Sequence, residues 1–323
     1  MGERTDAKAL YERASTGDDA ALAQLLTLVE SVPRDVAAVV WSEPRRSHVI
    51  GITGAPGVGK STLTSALIRE LHSRRRRVGV LAIDPSSPRT GGAILGDRIR
   101  MSEHHVDRDV FIRSFATRGS SGGLSAAVPL AIRVLESVGF GYVVVETVGV
   151  GQAELDIATY ADSVVLVLNP RWGDGVQANK AGILEIADVL VVNKADCVGA
   201  ADTVADLRAA QSLGAATELT PSIAVPIVET VATEPRGVDT LAAAIDRHGA
   251  LLSAGDGSAL TDRRTRRVAD HLVAVVRFNL EQSLAGMAES ASFRRAVADV
   301  ASGRHDPWIL ADRLIPTYTA DRA

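Results

Sequence analysis

The segment Gly54-Ala55-Pro56-Gly57-Val58-Gly59-Lys60-Ser61-Thr62 limits most strongly what this chain can fold into. An apolar run, His48-Val49-Ile50-Gly51-Ile52-Thr53, precedes it, and an amphipathic pattern over residues 63–71 follows, so its glycines fall at a strand-to-helix turn. In such a turn consecutive backbone N–H groups converge on a polyphosphate at the helix N-terminus. Lys60 then reaches the outer phosphates and the Ser61 hydroxyl ligates Mg²⁺. The chain is therefore expected to bind a nucleoside triphosphate.

Strand and helix signals alternate behind this loop. Short Val/Ile/Leu runs at 78–83, 110–113, 142–146, 164–168, 189–192 and 227–229 are mostly too continuous for half-exposed strands, which predicts strands covered on both faces. Helix-period segments such as 124–137 and 203–213 lie between them. The expected fold class is α/β, a mostly parallel central sheet flanked by helices, with ligand groups at the carboxyl ends of the strands. The loop, Asp84, Glu146, Asn169 and Asn193 all fall at those ends.

The flanks read differently. Residues 6–29 predict a helical hairpin and 33–41 a short helix; beyond 249, Gly/Ser/Ala punctuation gives way to helices at 263–284, 292–300 and 306–314, the last with Trp308, Leu310 and Leu314 as buried anchors. Three parts are expected: an N-terminal helical extension (1–44), a nucleotide domain (45–250) and a C-terminal helical arm (251–323).

Charge and cysteine content narrow the setting. Thirty-five basic side chains against thirty-nine acidic ones give a net charge of −4, which predicts no nucleic-acid or membrane partner and makes phosphate binding a local matter. The single Cys197 excludes an intrachain disulfide and is read as a small packing residue; with no signal-peptide core and no run near ~18 apolar residues, the expected location is cytoplasmic. Arg74-Arg75-Arg76-Arg77 reads as a solvated helix end. Arg263-Arg264 and Arg266-Arg267 read likewise, with a subunit or partner surface as the alternative, and His104-His105 as surface residues.

Two further motifs specify base and switch. Asn193-Lys194-Ala195-Asp196 follows an apolar strand; an aspartate there accepts hydrogen bonds from N1–H and the 2-amino group of guanine, donors that adenine lacks in that arrangement, so GTP and GDP are the expected nucleotides. Thr230-Val231-Ala232 occupies the place where a loop backs the base. In Glu146-Thr147-Val148-Gly149 the carboxylate holds Mg²⁺ through a water and the Gly149 N–H meets the γ-phosphate, which makes the segment a switch released on hydrolysis. Asp84 and Asp97 are further candidate oxygen ligands, although an aspartate before Pro85 is equally a turn former.

Three longer strings carry a resemblance: Asp84-Pro85-Ser86-Ser87-Pro88, residues 90–101 (TGGAILGDRIRM) and Glu146-Thr147-Val148-Gly149-Val150-Gly151-Gln152. Over about residues 45–250 the chain resembles the MeaB/ArgK/MMAA family of P-loop GTPases, and both helical extensions match that layout. The resemblance implies a fold of the signal-recognition and metal-insertion type, and a chaperone for adenosylcobalamin-dependent methylmalonyl-CoA mutase or a relative. It also implies a homodimer held by the C-terminal arm. It assigns Lys60 and Ser61 to phosphate and Mg²⁺, Asp84, Asp97 and Glu146 to the metal surroundings, and Asp196 to guanine. Residues 169–180, with Asp174, Gln177 and Lys180, match an additional switch that couples hydrolysis to the mutase. Arg171-Trp172 and Gly175 depart from that switch, which bears on partner choice or stimulated rate.

Three other readings remain beside it. A nickel-inserting GTPase requires a His-rich or Cys-Pro-His motif, which the sequence lacks. A kinase acting on arginine or ornithine for transport requires an acceptor site, and none is evident. A protein using nucleotide only for assembly needs no catalysis. No side chain is an obvious general base, so unstimulated hydrolysis is expected to be weak.

Overall fold

The computed structural model describes residues 7–31, 33–41, 47–74, 76–84, 109–116, 127–147, 153–170, 182–217, 225–234 and 236–320. They divide into two compact units, Met1–Arg267 and Val268–Ala323. In chain order the first holds α1 (Ala7–Ser15), α2 (Asp19–Ser31), α3 (Pro33–Val40), β1 (His48–Thr53), α4 (Lys60–Ser73), β2 (Val78–Asp84), β3 (Val110–Ala116), α5 (Ala127–Ser137), β4 (Tyr142–Thr147), α6 (Ala153–Asp156), β5 (Ser163–Leu168), β6 (Val189–Asn193), α7 (Ala200–Thr217), β7 (Ile227–Thr230) and α8 (Val238–Leu252). Helix α9 (Ser258–Ala288) begins in the first unit and continues in the second, which also holds α10 (Ala291–Ala301) and α11 (Pro307–Ala320).

The seven strands form one parallel sheet in the order β3-β2-β4-β1-β5-β6-β7. Every residue of β4, β5 and β6 is buried, as their unbroken apolar runs require of strands covered on both sides. Alternation along β1 divides the core: Ile50 and Ile52 pack with Leu63 and Leu67 of α4 and Leu241 and Ile245 of α8, whereas Val49 faces the cluster of Leu135 from α5. Leu22, Leu25 and Leu26 of α2 and Val36 of α3 belong to that second cluster, so the N-terminal helices cover α5 as part of the same core. The hairpin turns at Gly17, and Asp18 accepts a hydrogen bond from the Ala21 N–H at 3.0 Å to start α2.

Two aspartates close the amino-terminal edge of the sheet. Asp162, just before β5, accepts the Val49 N–H at 3.0 Å; Asp188, just before β6, accepts the Val164 N–H at 2.8 Å. The first turns of α9 supply their counter-charges. Arg263 grips Asp188 at 2.7 and 2.9 Å, while Arg264 and Arg267 reach Asp162 at 3.3 and 2.5 Å. Burial pushes the Asp162 carboxyl up, but Arg267, Arg264 and the Val49 N–H outweigh it and hold it below the usual range. At Asp188 burial is likewise outweighed, by hydrogen bonds from His248 and Arg263, and the carboxyl falls to about 2.

Three expectations about the flanks change. The basic run after α4 is only partly a solvated face: Arg76 is exposed and lies 5.6 Å over the Tyr142 ring, whereas the half-buried Arg74 pairs with Glu70 at 3.0 Å and with Asp246, and the half-buried Arg77 lies 4.2 Å over Phe140. Arg263, Arg264 and Arg267 bind carboxylates of their own chain instead of forming an open surface. Trp308 is 82% exposed and not a buried anchor, and Leu310 and Leu314 are only half-buried. No residue of α10 is buried, because a unit of so few helices has no second layer to receive their apolar stripes.

The Asp188 shift gives a pH-dependent prediction. Its folded value of about 2 lies below the ordinary 3.8, so its stabilisation is complete well above pH 4 and is lost as pH falls through 4 toward 2. Asp188→Asn is expected to lower the unfolding free energy near pH 7 by on the order of 2 kcal/mol. Urea titrations of both proteins at falling pH should show that gap narrowing; a gap independent of pH would refute the assignment.

Candidate functional site

The phosphate loop leaves the carboxyl end of β1 and runs directly into α4, whose first residue is Lys60. Gly59 precedes that helix with φ at 96°, and a Cβ on it would lie 2.4 Å from Nδ2 of Asn193, so this position needs both the left-handed backbone and the missing side chain. The loop carbonyls are held from inside. Nζ of Lys60 donates to the carbonyls of Gly54 at 2.7 Å and Ala55 at 3.1 Å, and the lysine is buried. Val58 is buried beneath the loop, while Thr62 is exposed in the first turn of α4.

Register brings the switch carboxylate to the loop. Ile52 of β1 pairs with Glu146 of β4, which sets Glu146 at the strand end beside the start of α4. There the Ser61 hydroxyl donates to Oε1 of Glu146 at 2.7 Å, and both residues are buried. A hydroxyl and a carboxylate in contact form a donor set of hard oxygens, which fits Mg²⁺, a cation that keeps several waters and takes few ligands from protein. Asp84 ends β2, two residues beyond the Ala82 that pairs with Glu146, and so lies at the same edge. Asp97, Gly149, Asp174, Lys180 and the rest of 171–180 lie outside the described residues, as do His104 and His105. Among the described residues no three His, Cys, Asp or Glu side chains converge as a metal group.

The base-reading segment is strapped to the same loop. Asn193 ends β6 and donates from Nδ2 to the Val58 carbonyl at 2.9 Å, while its Oδ1 accepts from the Thr230 hydroxyl at 3.1 Å and the Ala232 N–H at 3.3 Å. Lys194 follows in the left-handed region, φ 57°, and its Nζ donates to the Gly57 carbonyl at 2.8 Å. The Ala195 N–H donates to the Thr230 carbonyl at 3.0 Å, so the turn carrying Asp196 is fixed against Thr230-Val231-Ala232. Val231 and Ala232 are buried and Asp196 is exposed. Cys197, expected to pack, is instead exposed, because its N–H closes the turn on the Lys194 carbonyl and directs the side chain outward.

Sequence reading missed a hydroxyl pair behind the loop. Thr147 Oγ1 lies 3.4 Å from the Ile52 carbonyl and 3.3 Å from Thr53 Oγ1, and the Thr53 hydroxyl donates to the Glu154 carbonyl at 3.3 Å. The available signal was a threonine at the carboxyl end of two strands that become neighbours, which shows only once their order is known. Taken together, the edge offers a cradle for a polyphosphate, oxygen donors for a hard cation and a carboxylate for a purine edge.

The family described as methylmalonyl-CoA mutase-associated GTPase MeaB matches residues 22–289. A Pyrococcus abyssi protein named as an inferred GTPase is 42% identical over 309 residues, covering 95% of each chain. A Mycobacterium tuberculosis protein named a probable GTPase is 42% identical over 262 residues, covering 78% of this chain and 77% of that one. A Caenorhabditis elegans protein named methylmalonic aciduria type A homolog, mitochondrial, is 40% identical over 205 residues, covering 58% and 51%. In fold, the chain is similar to a crystal structure titled LAO/AO transport system kinase, with a TM-score of 0.67 at 24% identity over 99% of each chain.

Two glycines of the loop separate steric from backbone effects. Gly59→Ala places a methyl against the Asn193 amide, whereas a Cβ on Gly57 meets nothing within 4 Å and strains only a φ of 78°. Binding of a fluorescent guanine nucleotide is expected to fall more than about a hundredfold in Gly59→Ala, which combines the clash with a φ of 96°. Gly57→Ala should lose only what a left-handed alanine costs, about 1–2 kcal/mol. Equal losses in the two variants would show that Asn193 does not hold the loop.

Proposed function

The chain belongs to the MeaB family of methylmalonyl-CoA mutase-associated GTPases, and on that premise we propose that it is a Mg²⁺-dependent, GTP-hydrolysing chaperone for an adenosylcobalamin-dependent acyl-CoA mutase. Methylmalonyl-CoA mutase is the first candidate. The observation that carries the hydrolytic half is the strapping of Asn193 and Lys194 to Val58 and Gly57, which joins a phosphate cradle to a guanine-reading turn. The mutase half is supported by the family's description and by the homolog from Caenorhabditis elegans.

In this reading the loop N–H groups and Lys60 take the phosphate oxygens, Lys60 exchanging the Gly54 and Ala55 carbonyls for them. Ser61 and Glu146 would hold Mg²⁺, with Asp84 and Asp97 assigned to its surroundings by the family resemblance, and the ion would neutralise charge on the phosphates. Asp196 accepts the guanine N–H groups, and Thr230-Val231-Ala232 backs the base. A water attacks the γ-phosphorus in line and the bond to the β–γ bridging oxygen breaks, leaving GDP and phosphate. Gly149 senses the γ-phosphate, while Asp174 and Lys180 transmit its loss to the mutase. With no side chain assigned as base, a partner completes the water-activating arrangement and turnover of the isolated chain is weak. The arm over 251–323 pairs two protomers; the exposed Leu272, Val276, Leu280 and Trp308 are apolar groups suited to it. The protein acts in the cytoplasm.

Asp196→Asn replaces an acceptor carboxylate by a neutral amide and is expected to weaken GTP by roughly 10- to 100-fold, with little change in thermal stability, as read by calorimetry. For the partner, affinity capture with purified adenosylcobalamin-dependent mutases in GDP and in a non-hydrolysable GTP analogue should give nucleotide-dependent association with one of them. Association with none would remove the chaperone assignment. Phosphate appearing on arginine or ornithine, instead of in water, would establish a kinase.

A further inference from the structure

At the sheet edge opposite the phosphate loop, five side chains form a continuous chain. His48 Nε2 lies 2.8 Å from Ser163 Oγ, which lies 2.6 Å from His248 Nδ1. His248 Nε2 lies 3.2 Å from Asp188, and Asp188 takes both arms of Arg263. Its members come from different elements: His48 opens β1, Ser163 opens β5, Asp188 precedes β6, His248 is on α8 and Arg263 is in the second turn of α9. Ser163 is fully buried, whereas His48 borders a cavity of about 480 Å³ together with Arg76, Tyr142, Asp246 and Gly249.

Donor and acceptor rules set the hydrogens. An ionised Asp188 can only accept, so His248 carries a hydrogen on Nε2. With His248 neutral, its Nδ1 accepts from the Ser163 hydroxyl, and Ser163 in turn accepts from Nε2–H of His48. One extra proton reverses the chain. If Nδ1 of His48 takes it up, the Nε2 proton passes to Ser163 and the hydroxyl proton passes to His248. His48 is then neutral with hydrogen on Nδ1, and His248 is an imidazolium beside Asp188. His48 Nδ1 lies beside Gly249, and both residues line the cavity, which gives a proton its approach to the ring.

We propose that this chain is a proton-responsive latch on the root of α9: a proton entering at His48 is carried through Ser163 to His248, whose imidazolium competes with Arg263 for Asp188 and loosens the first turns of that helix. The surroundings suit each part. His48 is faced by Tyr142 of β4, Asp162 before β5, Asp246 and His248 of α8 and Arg264 of α9. Burial outweighs the favourable charges of Asp162 and Asp246 and lowers its pKa, so His48 tends to pass the proton on. His248 is faced by Asp188, Arg263 and His48, so its cationic form has a carboxylate to share. The latch does not depend on the nucleotide reading.

The test uses the full chain. In ¹⁵N-histidine spectra, both histidines are expected as Nε2–H tautomers at pH 8, and acidification to pH 5.5 should switch His48 to the Nδ1–H tautomer. Hydrogen exchange over 258–267, corrected for the intrinsic pH dependence of amide exchange, should quicken by about tenfold over the same range. Ser163→Ala removes the relay and should abolish both responses. Gly249→Ala keeps every titrating group but brings a methyl to 2.7 Å from Cε1 and 2.9 Å from Nδ1 of His48, and it should abolish them too. A wild-type His48 that never changes tautomer, or responses that survive in both variants, would overturn the latch. Should Ser163→Ala not fold, the wild-type tautomers and Gly249→Ala decide the matter.

Discussion

The side-chain amide of Asn193 is the joint on which the nucleotide site depends. It donates to the carbonyl of Val58 and accepts from Thr230 and Ala232, so one residue at the end of β6 fixes the phosphate loop, the base-reading turn and the segment after β7 relative to one another. All of these groups are buried, and hydrogen bonds there are costly to break, because a freed amide or carbonyl has no water to turn to. The parallel sheet brings the three segments to one edge; Asn193 makes them a single object.

The opposite edge solves a different problem. The starts of parallel strands leave N–H groups that no ladder satisfies, and Asp162 and Asp188 accept two of them. A carboxylate buried in that position needs counter-charge, which arrives from Arg263, Arg264 and Arg267 at the beginning of α9. The requirements of strand ends thus determine where the long helix is rooted, and Ser163, sitting between two imidazoles at the same edge, ties that root to β1.

Much of this was legible in the residues. All seven strands fall at apolar runs visible in the sequence, and β4, β5 and β6 are unbroken and fully buried, since strands covered on both faces admit no polar alternation. The contact of Ser61 with Glu146 follows from two motifs that each end a strand, once those strands are neighbours. Partnerships across long sequence separations were not legible. The roles of Arg74, Arg263 and Arg267 depend on carboxylates 75 to 172 residues away, and a run of basic residues looks the same whether water or Asp162 faces it. Trp308 misled for a related reason: an apolar helical stripe tells that a side chain seeks cover and says nothing about which chain supplies it.

Lys194 shows how narrowly one position can be constrained. Its backbone lies in a region that glycine or asparagine adopts more readily, while its ammonium must span the distance to the Gly57 carbonyl. Neither demand alone selects lysine: the backbone would favour a small residue, and the reach would be met by many long ones in an ordinary conformation. Substitutions that relieve the strain remove the strap, and those that keep a long side chain keep the strain. A substitution at this position therefore trades one cost for the other, the strained backbone against the lost strap.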